Sequence, residues 1–300
     1  MEQLVKGKNI DTENVSVSAP RHLDNGSKLV YVNYNNSRFN IQTPWMDMPW
    51  NKSTYSEGPY PKHSMELSFR GMEDSEEMTT FHDKMNELDS RLIDLGVQNS
   101  LPWFKKKSIS RETVEALYNP IVKVSKDKET GEPDGKWPST IRLKIPFRDN
   151  RWSSVLVNGD NGEKFDINNP ESGHNVDDIL VKNAKVRGII QCVGLWIASG
   201  NYMCQWQLVK AEVKVPHTSS GCDFIPDSDD EDGDNVENAA NVDLLDDSDD
   251  DDNGEQHADE VEDEVEDSGE DEVDEEPVVE VVKPKKKLKV PKKKVSSSKK

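Results

Sequence analysis

Two runs of β-forming residues, 185–197 and 201–215, constrain this chain more than any other feature. Each exceeds the ~5–6 residues of an ordinary strand. Ser199-Gly200-Asn201 joins them with residues that favour a tight turn. Long strands that bend to serve two sheets are how small barrels are built. The expected fold class is therefore mainly β, with a small barrel ending in this hairpin.

Shorter β runs precede it. Leu29-Val30-Tyr31-Val32-Asn33-Tyr34 and Arg38-Phe39-Asn40-Ile41 flank an Asn-Asn-Ser turn, so a hairpin is expected. His63 to Arg70 alternates, with Met65, Leu67 and Phe69 on one face. Residues 121–124 and 140–145 also read as strands, and 157–177 as an Asn-, Asp- and Gly-dense loop. Pro44-Trp45 and Pro49-Trp50 argue against a regular strand between them. One helix is expected over residues 76–95. Met78, Phe81, Met85, Leu88, Leu92 and Leu95 are spaced 3, 4, 3, 4, 3, a single helical stripe that must bury itself. Ser75 is placed to cap its start and Gly96 its end.

Charge divides the chain. Residues 221–280 hold 30 Asp or Glu and no Lys or Arg, and residues 281–300 hold ten Lys and no acid. Of 59 acids and 38 bases in all, 29 and 28 remain in residues 1–220, a net charge of −1. All the Trp and Tyr lie there as well. An acidic segment so poor in apolar residues cannot bury enough surface to offset its chain entropy. The expected organisation is a flexible arm over 1–27, a folded domain over 28–218, a disordered acidic tail over 219–282 and a disordered Lys-rich segment over 283–300.

Several classes drop out. No run approaches the ~20 apolar residues needed to span a bilayer, and the first residues lack the apolar core of a secretory signal, so no membrane partner is expected. Three cysteines (Cys192, Cys204, Cys222) make no disulfide framework and no metal-ligand spacing, which points to a reducing, intracellular setting without a metal. Phosphate-loop, dinucleotide, zinc-protease and serine-hydrolase motifs are all absent. The chain is not expected to be an enzyme or to carry a cofactor.

The aromatic residues are more informative. Tyr31, Tyr34, Phe39, Trp45, Trp50, Tyr55 and Tyr60 alternate with Asn, Lys and Arg. Trp103 and Phe104 abut Lys105, Lys106 and Lys107, and Trp137 and Trp152 also sit beside cations. Rings that stack on bases, beside cations that follow phosphates, are what single-stranded nucleic acid binding requires. Burial in the core is the competing use of aromatic residues, and it is the expectation for Tyr31, Phe39, Phe69 and Trp196. The candidates are Tyr34, Trp45, Trp50 and Trp103 for stacking, and Lys105, Lys106, Lys107, Arg142, Lys144 and Arg148 for phosphates.

In the tail, Ser228, Ser248 and Ser268 each precede acids by one to three positions, a context that suits an acidophilic kinase. Pro284-Lys285-Lys286-Lys287-Leu288-Lys289-Val290 resembles a monopartite nuclear localisation signal, which implies an import receptor as partner.

The run Val186-Arg-Gly-Ile-Ile-Gln-Cys-Val-Gly-Leu-Trp-Ile-Ala-Ser-Gly-Asn-Tyr-Met-Cys-Gln-Trp-Gln-Leu-Val-Lys-Ala-Glu-Val213, together with Leu143-Lys-Ile-Pro-Phe147, resembles the single-stranded DNA-binding proteins of large nucleocytoplasmic DNA viruses. These are similar to the helix-destabilising protein of short-tailed phages. The resemblance, over residues 28–215, implies an OB-fold-like barrel with one interposed helix. It also implies binding to single-stranded DNA in replication, recombination or repair, and an acidic tail that competes with DNA and recruits replication proteins. The setting implied is the host nucleus, a viral replication site or the virion. This chain departs in the Lys-rich segment that follows the acids and in having no aromatic after Phe224. An acidic-tailed nuclear chaperone for histones or other basic proteins has the same ingredients and is the alternative reading.

Overall fold

The computed structural model describes residues 4–58 and 60–216. The acidic tail, the Lys-rich segment, Pro284, Lys285, Lys286, Lys287 and Lys289, and the kinase candidates Ser228, Ser248 and Ser268 lie outside the described residues.

The body is mainly β with one long helix. Its spine is the expected hairpin, Lys185–Ala198 against Asn201–Lys214, paired from Lys185↔Lys214 to Ala198↔Asn201. Ser199 (φ 49°) and Gly200 (φ 92°) make the turn, both in the left-handed region that matches hairpin twist. The ladder slips between Cys192 and Gly194. Gly194 (φ 144°) sits at that bulge because the Lys28–Val30 strand crosses there: a Cβ would come within 2.7 Å of the Val30 carbonyl oxygen.

The pairings close on themselves. Lys185–Ala198 pairs with the two-residue strand Met46–Asp47 through Lys185↔Asp47 and Val186↔Met46. Asp47 also pairs with Ser68 of Lys62–Ser68. That strand pairs antiparallel with Thr140–Ile145, from His63↔Ile145 to Ser68↔Thr140. Thr140–Ile145 then meets the hairpin in parallel at Lys144↔Gln207. The Pro-flanked segment, read as non-strand, thus supplies the closing link. Pro44 and Pro49 limit it to two residues but stand outside the paired positions. Inside lie Met46, Met65, Leu67, Ile141, Leu143, Val186, Ile190, Trp206 and Leu208, all buried.

The helix runs Glu76–Gln98, and Ser75 caps it by accepting from the Met78 N–H. Its whole predicted stripe is buried. Gly96 is no cap: it lies inside the helix, where a Cβ would meet Val114 at 2.7 Å and the Tyr202 hydroxyl at 2.9 Å. Asn99 takes the capping position.

The N-terminal residues, expected as a loose arm, differ most from the sequence reading. Leu4–Lys6 pairs with Asn40–Gln42, and Val15–Val17 with Val32–Tyr34. Val5, Ile10 and Val15 are buried. Short polar-flanked strands show little periodicity alone, and their apolar residues find partners only across the fold.

Candidate nucleic-acid interface

The strands Ser53–Tyr55, Lys62–Ser68 and Thr140–Ile145 share one outward face. Side chains alternate across a strand, so burying Met65, Leu67, Ile141 and Leu143 turns Lys62, Ser64, Glu66, Arg142 and Lys144 outward. Register sets them in rows: Lys62 opposite Tyr55, Ser64 opposite Lys144 and Ser53, Glu66 opposite Arg142. The Arg142 guanidinium donates to Ser64 Oγ from Nε at 3.3 Å and Nη2 at 3.1 Å. Lys62 Nζ stands 6.0 Å from the Tyr55 ring centroid. Tyr55 is 51% exposed and Tyr60, in the loop between the two strands, 68%. Trp50, 51% exposed, lies on the segment that enters Ser53–Tyr55.

A small hairpin follows Thr140–Ile145. Phe147–Arg148 pairs with Arg151–Trp152 across Asp149 and Asn150, both at positive φ, which places Arg148 opposite Arg151. Phe147 and Trp152 pack at 4.5 Å between ring centroids, and His63 lies 4.6 Å from Trp152. Lys52 Nζ lies 5.6 Å from the Trp152 ring centroid and 2.9 Å from Asp177. Burial, and then the Lys52 charge, hold His63 below the ordinary imidazole range, against a weaker opposite pull from Asp177. This cluster fixes the base of the arginine hairpin.

The structure brings two of the sequence candidates, Arg142 and Lys144, onto this face, and leaves Arg148 exposed on the hairpin that follows. It corrects others. Tyr34 is buried and stacks on Phe39 at 4.9 Å, and its hydroxyl accepts from the Asp11 N–H. Trp103 is 2% exposed, packed 6.0 Å from Tyr202. Neither presents a ring to a base. Trp45 is half-buried, with the Arg187 guanidinium 4.9 Å and Lys214 Nζ 5.4 Å from its ring. Lys105 and Lys106 line a different cleft, about 240 Å³ in volume, beside Lys28 and the Ser199-Gly200 turn. Lys107 follows them, exposed. Tyr31, expected in the core, is 42% exposed.

Sequence reasoning missed Tyr55 and Lys62 as neighbours on one face, and Tyr60 as an exposed ring in the loop between their strands. The signal available was the run of Ser, Gly and Pro around the two tyrosines, which makes a loop and so exposes its rings. Register across the sheet, which joins Lys62 to Tyr55, is not written in local sequence.

No family model matches the chain, and no curated protein sequence matches it. Among solved structures it is similar to the single-stranded DNA-binding protein from bacteriophage Enc34 in complex with ssDNA. That match has TM-score 0.37 and 12% identity over 67% of this chain and 97% of that one. It is also similar to gp2.5, a single-stranded DNA binding protein encoded by bacteriophage T7, with TM-score 0.33 and 14% identity over 68% of this chain and 100% of that one.

Proposed function

We propose that this chain binds single-stranded DNA along the outward face of the Ser53–Tyr55, Lys62–Ser68 and Thr140–Ile145 strands, as a coating protein in replication, recombination or repair of a DNA virus. The observation that carries this reading is the register of that face: Lys62, Lys144 and Arg142 project from neighbouring strands beside the exposed Tyr55 ring. Cations at that spacing follow a phosphate backbone, while rings in an open loop stack on bases that duplex would hide. Arg148 and Arg151 continue the path. Contacts of this kind carry little sequence preference, because every base offers a π-face.

The tail belongs to the same proposal. Residues 221–280, with 30 acids and no base, compete with DNA for the cationic face and recruit replication proteins. At physiological salt such competition needs approach within ~8 Å, which a long polar segment allows. The Lys-rich end serves nuclear import.

The test is anisotropy of a labelled oligo-dT with the full chain, with residues 1–218 and with an Arg142→Ala/Lys144→Ala variant, titrated with salt and with duplex competitor. The expected order of affinity for oligo-dT is the truncated chain, then the full chain, then the double variant. Equal affinity of the double variant and the full chain sinks the assignment of this face.

The 30-acid segment also favours a second reading, a chaperone of histones or other basic proteins. Histone binding that vanishes when residues 221–280 are removed, with no oligo-dT binding by residues 1–218, selects it.

A further inference from the structure

We propose that Cys192 and Cys204 are a modification site: hydrogen peroxide converts them to a disulfide that staples the two strands of the long hairpin. This goes beyond nucleic-acid binding and does not depend on it. The two sulfurs lie 3.4 Å apart, on adjacent antiparallel strands, with both side chains turned inward. They are not in directly paired positions. Cys192 faces Trp206 and Cys204 faces Leu195 across the ladder, so the thiols meet diagonally, beside the slip between Cys192 and Gly194. A disulfide needs the sulfurs to close the remaining ~1.4 Å. The bulge is where the ladder has slack, because the extra residue there is unpaired.

The chemistry balances with one peroxide. One sulfur, as thiolate, attacks a peroxide oxygen. The S–O bond forms, the O–O bond breaks, and the departing hydroxide takes up a proton to leave as water. The second sulfur then attacks the sulfenic sulfur. The S–S bond forms, the S–O bond breaks and a second water leaves. Two thiols have lost two electrons and one peroxide has gained them.

Burial sets the tempo. Both residues are 7% exposed, so a small oxidant reaches them where a bulky one does not. Burial, and then the hydrogen bond and charge of Cys192, push the Cys204 thiol well above its ordinary range. Cys204 therefore stays protonated at neutral pH, and the bond forms slowly, when the hairpin opens locally. The same burial shields the finished disulfide from reductants, so it acts as a lasting mark of peroxide exposure.

The test uses the full chain carrying Cys222→Ser, which removes the third thiol, treated with hydrogen peroxide under native conditions and analysed by intact mass and peptide mapping. The expected result is loss of the mass of two hydrogen atoms, a cross-linked pair of peptides containing Cys192 and Cys204, and a raised Tm that resists dithiothreitol under native conditions and falls back only after reduction in denaturant and refolding. Cys192→Ser and Cys204→Ala, each checked for a native circular dichroism spectrum, abolish both the mass loss and the Tm rise. The proposal is overturned if the native protein stays reduced, if it gains oxygen atoms without a cross-link, or if the cross-link appears only in denaturant.

Discussion

The segments around Trp50 and Trp103 look alike in sequence: each has proline immediately before tryptophan and lysine within two residues after it. The fold treats them oppositely. Trp50 is 51% exposed and Trp103 is 2% exposed. Trp103 sits on the short helix Ser100–Phe104, which directly follows the long helix and tucks its ring against Tyr202. Tyr202 in turn packs 4.8 Å from Tyr118, whose hydroxyl donates to Asp89 at 2.6 Å. Trp50 enters an edge strand, where the chain beyond it turns away through an exposed loop. The difference teaches that proline and lysine neighbours do not decide whether a ring is a core anchor or a platform. What decides is whether the next element has a packed surface to lay the ring on.

The sharpest test of that contrast is truncation of both rings. Trp103→Ala removes a large buried side chain and leaves a cavity, so it is expected to cost about 3–5 kcal/mol of stability. Oligo-dT affinity of the folded fraction is expected to stay unchanged, by urea unfolding and anisotropy respectively. Trp50→Ala is expected to change stability by no more than ~0.5 kcal/mol, as an exposed substitution should. If Trp103→Ala leaves the urea midpoint unmoved, the contrast fails.

On the open side the effect is smaller and appears in binding. Tyr55→Ala removes one exposed ring beside Lys62 and is expected to weaken oligo-dT binding by about 1–3 kcal/mol, with the urea midpoint unchanged. Full affinity in that variant moves the base path away from this loop. The cations give a third reading. Arg142→Ala/Lys144→Ala removes two phosphate contacts, so the slope of log affinity against log salt is expected to flatten by about 1.4, at ~0.7 per contact on a single strand. A parallel pair of salt titrations, differing only in offset, shows those two residues acting by something other than phosphate neutralisation.

Much of this architecture is legible locally, because local rules govern it. The 3, 4, 3, 4, 3 spacing from Met78 to Leu95 sets the helix and its buried face. Ser199-Gly200 sets the hairpin turn, and alternation sets which side of Lys62–Ser68 faces water. What is not legible depends on contacts between residues far apart in sequence. Leu4–Lys6 looks featureless until Asn40–Gln42 lies beside it, and Met46–Asp47 closes the pairing only because Lys185 and Ser68 flank it. The site divides the same way. Arg142, Lys144 and Arg148 are legible as outward positions on or beside a predicted strand. Trp103 and Tyr34 are not legible as core, since their partners Tyr202 and Phe39 come from other elements. The nearness of Cys192 to Cys204, which are not partners in the ladder, depends on how the two long strands are set against each other.

The closed side also has a polar anchor whose pH dependence separates it from the open side. Asp89, on the long helix, accepts from the Tyr118 hydroxyl and from the N–H groups of Ile121 and Val122 at 2.6–3.3 Å. Those bonds favour the ionised carboxyl, but burial outweighs them and raises its pKa from 3.8 to about 6. The folded state therefore holds a proton over a range where the unfolded chain has released it. Stability from this group is fully present below about pH 3.8 and is lost as pH rises through about 6. The expected outcome is that wild type loses stability relative to Asp89→Asn as pH goes from 4 to 7. The corresponding difference for a change on the open face, such as Tyr55→Ala, stays flat over the same range. Urea midpoints of the three proteins measured across that range decide it. A flat difference for Asp89→Asn means that water reaches the carboxyl, and the cluster of Asp89, Tyr118, Tyr202 and Trp103 is then no more closed than the face that carries Tyr55.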